Sequence, residues 1–153
     1  MIMETKNQAL HLATLSGWYR FERSGEDWVQ ADRALTFWQM SCIQVDPDDP
    51  RRVYIGTERS GMFVTADGGR DWIRANPNVP CLALSSMLAL SGRLLVGTMP
   101  AALYRMAKGA GWQELKGVRQ GAVGSVFPES RVSCSDASAR AGEKRWRATL
   151  RRH

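Results

Sequence analysis

A threonine-ended apolar segment, a second apolar segment and a closing tryptophan recur three times in this chain at nearly constant spacing. The first copy is Ala13-Thr14, Gly17-Trp18-Tyr19-Arg20-Phe21 and Gly25-Glu26-Asp27-Trp28. The second is Gly56-Thr57, Gly61-Met62-Phe63-Val64-Thr65 and Gly69-Arg70-Asp71-Trp72. The third is Gly97-Thr98, Leu103-Tyr104-Arg105-Met106 and Gly109-Ala110-Gly111-Trp112. The threonines stand 43 and 41 positions apart, and the tryptophans 44 and 40. A self-similar unit of about 40–45 residues is the size of one four-stranded propeller blade. Fourteen glycines and six tryptophans suit such a turn-rich β protein better than a helical bundle.

The middle copy shows the strands most clearly. Ser41 to Asp46 reads as a first strand with Ile43 and Val45 on one face. Pro47-Asp48-Asp49-Pro50 makes a turn, since proline fixes φ and aspartate side chains bond their own backbone. Val53 to Thr57, Gly61 to Thr65 and Asp71 to Ala75 supply the other three strands. Between the last two, Gly68 and Gly69 admit the positive φ that a tight hairpin needs. Asp67 is placed to accept backbone N–H groups inside that turn, and Trp72 to pack back over it.

Thr65, Asp67, Gly69 and Trp72 resemble the Asp-box, or BNR repeat, S/T-x-D-x-G-x-x-W. The preceding Asp46-Pro47, Pro50 and Val53-Tyr54-Ile55-Gly56-Thr57 are similar to bacterial propellers of the same superfamily. Its members include sialidases, sortilin-like receptors, xyloglucan hydrolases and photosystem assembly factors of the Ycf48 type. The resemblance implies an all-β fold: a partial β-propeller of about three four-stranded antiparallel blades over residues 10–128, followed by a disordered basic tail over 129–153. It also implies that the box supports the blade periphery, so Asp67 is a turn stabiliser and not a catalytic acid or calcium ligand. The flanking copies depart from the pattern. The first has Phe21 and Arg23 where Thr and Asp belong and keeps Gly25 and Trp28; the third has Met106 and Lys108 and keeps Gly109 and Trp112.

The formal charge of +6 is concentrated at one end. Residues 131–153 carry seven basic side chains (Arg131, Arg140, Lys144, Arg145, Arg147, Arg151 and Arg152) against Asp136 and Glu143, which leaves +1 for the body. A nearly neutral body gives no basic face for nucleic acid, and Trp146 is the tail's single aromatic. Residues 142–146 do not form a fourth box, because no strand pattern precedes them, and the composition change near Val132 reads as a frameshifted or truncated end. Cys42, Cys81 and Cys134 form no CxxC pair, and His11 and His153 are the only histidines, so no zinc ligand set is present. Cys42 and Cys81 read as buried residues at equivalent strand positions. His11 reads as a solvent-facing residue ahead of the first strand. The N-terminus lacks a signal-peptide core and Cys81 to Val96 is too broken to span a bilayer, so a soluble, cytoplasmic chain without membrane contact is expected.

For function, two classes stand against each other. One is a non-catalytic propeller module or fragment, without cofactor or metal, that presents blade loops to a protein or glycan. The available loops are Glu58-Arg59-Ser60 and Met99-Pro100-Ala101-Ala102, with Asp46 to Arg52 on another edge. The alternative is a sialidase-like glycoside hydrolase with most catalytic residues outside this chain. Retaining and inverting glycosidases need placed carboxylates, and sialidases a tyrosine nucleophile. Glu22, Glu26, Glu58, Asp46, Asp48 and Asp49 fall in turns or at strand ends with nothing to pair them, and Tyr19, Tyr54 and Tyr104 sit at repeated strand positions, where packing explains them. No catalytic residue is therefore assigned. Propellers use about four to eight blades, so three blades leave open faces that self-association would cover.

Overall fold

The computed structural model describes residues 1–4, 9–75, 82–107, 111–116 and 145–147. Their strands assemble into three antiparallel sheets, each a meander of sequential neighbours. The first blade is β1 (Ile2–Glu4), β2 (Ala9–Thr14), β3 (Gly17–Ser24) and β4 (Asp27–Ala34). The second is β5 (Met40–Val45), β6 (Val53–Thr57), β7 (Met62–Thr65) and β8 (Asp71–Arg74); the third is β9 (Leu84–Leu90), β10 (Arg93–Thr98), β11 (Ala102–Ala107) and β12 (Gly111–Glu114). The architecture is an all-β partial propeller of three four-stranded blades. β1 lies ahead of the 10–128 range that the repeat suggests. Three residues of the basic tail, β13 (Arg145–Arg147), pair antiparallel with β8, Trp146 opposite Trp72. An edge strand presents unpaired N–H and C=O groups, and β13 takes up those of β8. The rest of 129–153, including Cys134, and Cys81, Lys108 and Gly109, lie outside the described residues.

The blades stack through the two faces of the middle sheet. Because side chains alternate along a strand, Ile43, Val45, Val53, Ile55, Phe63 and Trp72 join Ala13, Trp18 and Ala34 of the first blade in one core. Cys42, Tyr54 and Met62 join Leu84, Ala89, Leu94 and Val96 of the third blade in the other. All five residues of β6 are consequently buried.

The repeated threonines mark equivalent points. Each ends the second strand of its blade, and its Oγ1 faces the start of the third: Thr14 donates to Gly17 O and Thr57 to Gly61 O, both at 2.9 Å, while Thr98 Oγ1 lies 3.4 Å from Ala102 O. Counting back from them, His11 corresponds to Tyr54 and Leu95, and by the pairing of the third strand with the second Trp18 corresponds to Met62 and Leu103. Tyr19 corresponds to Phe63 and Tyr104.

Three expectations change in this frame. His11 is on β2 and only 2% exposed, because its face is the one that packs on the second blade. Tyr54 does not share the position of Tyr19 and Tyr104; it lies one strand earlier. Ser86, not Cys81, stands where Cys42 does: Cys42 is opposite Gly56, and Ser86 is opposite Gly97. The spacing explains both glycines, since a β-carbon on Gly56 would fall 2.4 Å from Cys42 Sγ and one on Gly97 2.4 Å from Ser86 Oγ.

Candidate functional site

The 65–72 turn is held from within. Thr65 Oγ1 donates to Asp67 Oδ1 at 2.7 Å and accepts from Gly69 N at 3.0 Å. Asp67 Oδ1 accepts from Arg70 N at 3.0 Å and Asp71 N at 3.1 Å, and the Trp72 indole donates to Gly69 O at 3.0 Å. Burial works to raise the Asp67 carboxyl. The Thr65 hydroxyl and the N–H groups of Asp71, Arg70 and Gly69 outweigh it and hold the group below 3.8. Both Asp67 oxygens accept N–H groups of its own hairpin. Asp67→Ala is expected to lower stability by about 1–2 kcal/mol in urea unfolding; an unchanged midpoint would show that water replaces the carboxylate at no cost.

The turn also belongs to the contact between blades. Trp18 of the first blade meets Trp72 edge-on, with centroids 5.0 Å apart, and His11 stacks on Trp18 at 5.6 Å. Gly69 lies against the Trp18 ring, where an added β-carbon would fall 2.0 Å from Cη2. Beside this row Arg20 Nε donates to Asp32 at 3.0 Å, and Asp32 is 7% exposed. Burial, and then the Arg20 charge, lower the His11 pKa from 6.5 to about 4.

The other two copies differ in geometry. Trp112 is opposite Met106, at the third-blade counterpart of the Thr65 level. Trp28 is opposite Arg23, nearer the tip of a hairpin that closes on Ser24 and Asp27 with Gly25 at φ 65°. Trp28 is thus two residues displaced along its strand, and Gln30 lies opposite Phe21, the Thr65 equivalent by strand pairing.

Of the loops named from sequence, Glu58-Arg59-Ser60 and Met99-Pro100-Ala101 do lie on one edge, since both join the second and third strands of a blade. Glu58 N donates to Gln39 O at 3.2 Å and Met99 N to Ala83 O at 2.9 Å, so the connections between blades lie on that edge too. The edge carries large apolar side chains in solvent: Leu15 is 65% exposed, Phe37 94% and Met99 70%. The loops bearing them are braced. Thr14 Oγ1 accepts from Ser16 N at 3.0 Å, Thr57 Oγ1 accepts from Ser60 N at 2.8 Å, and Thr98 Oγ1 donates to Pro100 O at 2.9 Å. Leu35, held at φ 55° by its burial in the core, starts the turn that presents Phe37. Trp38 instead turns inward, 5.5 Å from Phe63. Sequence reasoning passed over Leu15 and Phe37. Both lie in connections between strands, Phe37 in the turn that Trp38 N closes on Leu35 O at 3.1 Å.

The opposite edge holds the Asp46 to Arg52 turn. The Asp46 carboxylate accepts there from the Tyr54 hydroxyl at 3.1 Å and lies 3.6 Å from the Arg52 guanidinium. Burial, then Asp46, raises the Tyr54 pKa. The cleft between this cluster and Arg93 measures about 110 Å³, short of the 300 Å³ or more usual for a small-molecule site. Among the described residues no His, Cys, Asp and Glu gather as a metal-binding group, and no helix is long and apolar enough to cross a membrane.

No family model and no curated protein matches the chain. Among solved structures, that of YCF48 bound to D1 peptide superposes with a TM-score of 0.55 at 22% identity, over 71% of this chain and 38% of that one. The chain thus spans less than half the length of that structure. The likeness places the blades among β-propellers and lends nothing to the glycoside hydrolase alternative.

Proposed function

We propose that this chain is a non-catalytic propeller module whose loop edge, at Leu15, Phe37, Glu58-Arg59 and Met99, holds a protein segment with apolar side chains. The observation that carries the reading is Phe37, 94% exposed on a braced loop. Solvent gains nothing from a phenyl ring fixed in it, whereas covering one contributes about 1.5–3 kcal/mol to a complex. The peptide bound to YCF48, the propeller that superposes on these blades, supports a protein ligand. In this reading Thr65, Asp67, Gly69 and Trp72 form an Asp-box that shapes its blade and leaves binding to the loops.

The test uses peptides selected from a random displayed library by the intact chain and then measured by fluorescence anisotropy. Phe37→Ser is expected to weaken them by about 10- to 100-fold, with Asp67→Asn leaving affinity unchanged. Equal affinity for the Phe37→Ser and parent chains would overturn the proposal.

A further inference from the structure

The two outermost sheet faces are complementary through the repeat itself. At each internal junction one blade presents its forward face and the next blade receives it. The first blade presents His11, Ala13 and Trp18, and the second receives them on Ile43, Val53, Ile55 and Phe63. The second presents Cys42, Tyr54 and Met62, and the third receives them on Leu94 and Val96, the counterparts of Val53 and Ile55.

The same positions define what remains open. The forward face of the third blade carries Leu88, Leu95 and Leu103: Leu95 and Leu103 stand at the positions of Tyr54 and Met62, and Leu88 pairs with Leu95. The receiving face of the first blade carries Ile2, Leu10, Leu12 and Tyr19, the last three at the positions of Val53, Ile55 and Phe63; Ile2 pairs with Leu12 as Ile43 pairs with Ile55. Leu88 is 48% exposed and Ile2 60%, with Leu10, Leu12, Tyr19, Leu95 and Leu103 half-buried, and no described element covers either face.

We infer that the occupant of each face is a second copy of this chain, docked head to tail so that the third blade of one copy presents to the first blade of the other. The contact continues the interface that the chain already makes twice within itself. Two copies related by a two-fold axis use both open faces at once and bring together six blades, inside the range of about four to eight in which propellers close. The inference rests on the three-blade architecture of the proposed module but not on the peptide-binding edge, which is a separate surface.

The test is sedimentation equilibrium of the full chain with Ile2→Glu and Leu88→Glu. Both positions are exposed within one copy, so each variant keeps its fold, which near-ultraviolet circular dichroism checks. The parent chain is expected at twice its 17.1 kDa mass. Each variant alone is expected to lose association by about tenfold or more, because each damages both junctions of the ring. Mixed one to one, the two variants restore one undamaged junction and re-form a dimer. A parent chain at monomer mass overturns the inference, as does dissociation by one variant only, or a mixture that stays monomeric. Peptide affinity in the parent chain reports on the binding edge independently of all three results.

Discussion

Gly69→Ala is expected to lower the unfolding free energy by roughly 3–5 kcal/mol, more than any other single methyl group added to the turn. Two causes act together. The backbone at Gly69 has φ +103°, where a β-carbon is strained, and the added carbon would fall 2.0 Å from Cη2 and 2.7 Å from Cζ2 and Cζ3 of Trp18. That ring cannot swing aside, because His11 stacks on it and Trp72 abuts it. A double-mutant cycle separates the causes. In a Trp18→Leu background, with the residue found at Leu103, the same change should cost only the backbone part, about 1–2 kcal/mol. Urea midpoints that fall equally in both backgrounds would remove Trp18 from the explanation.

The second large effect is a loss of stability in mild acid. His11 is neutral when folded because burial, helped by the adjacent Arg20, lowers its pKa from 6.5 to about 4. Between those values the unfolded chain takes up a proton that the folded chain refuses, so stability falls as the pH drops from 6.5 to about 4 and then levels. The loss is on the order of 3 kcal/mol. The groups around His11 are the stacked Trp18 ring and Arg20, with the Arg20 partners Asp32 and Glu22, all on its own blade. His11→Leu, the residue at the equivalent Leu95, should abolish the slope in that window, measured as unfolding free energy against pH. Asp67 contributes separately. Its carboxyl lies below 3.8, so the stability it confers is present above that pH and is lost only on further acidification. A slope that survives His11→Leu would assign the acid sensitivity to other groups.

The blade count, the meander order and the hydrogen-bonded turn were legible because each depends on local chemistry. A threonine closes a strand, adjacent glycines admit positive φ, and an aspartate accepts N–H groups two to four residues ahead. What escaped was decided across the junctions. His11 looks like a surface residue until its strand is placed against the second blade. Gly69 looks like a pure turn residue until Trp18, 51 positions earlier in the chain, is seen to occupy the space beside it. Cys81 precedes an apolar run as Cys42 does, yet the short turn at Ser91-Gly92 pairs Leu90 with Arg93, and the register that runs back from it puts Ser86 opposite Gly97. β1 is three residues long, too short for an alternating pattern to stand out. On the candidate binding edge, the loop positions followed from the repeat, whereas the exposure of Phe37 depends on the turn that begins at Leu35.

The stacking of the first blade on the second rests on the Trp18–Gly69 contact, and a nuclear Overhauser measurement tests it directly. Cross-peaks from the Trp18 ring protons to the α-protons of Gly69 are expected, with those α-protons displaced by the ring current. The indole N–H of Trp72, bonded to Gly69 O at 3.0 Å inside the hairpin, serves as the reference contact. Trp72–Gly69 cross-peaks without any from Trp18 would mean that the turn forms while the blades do not pack as described.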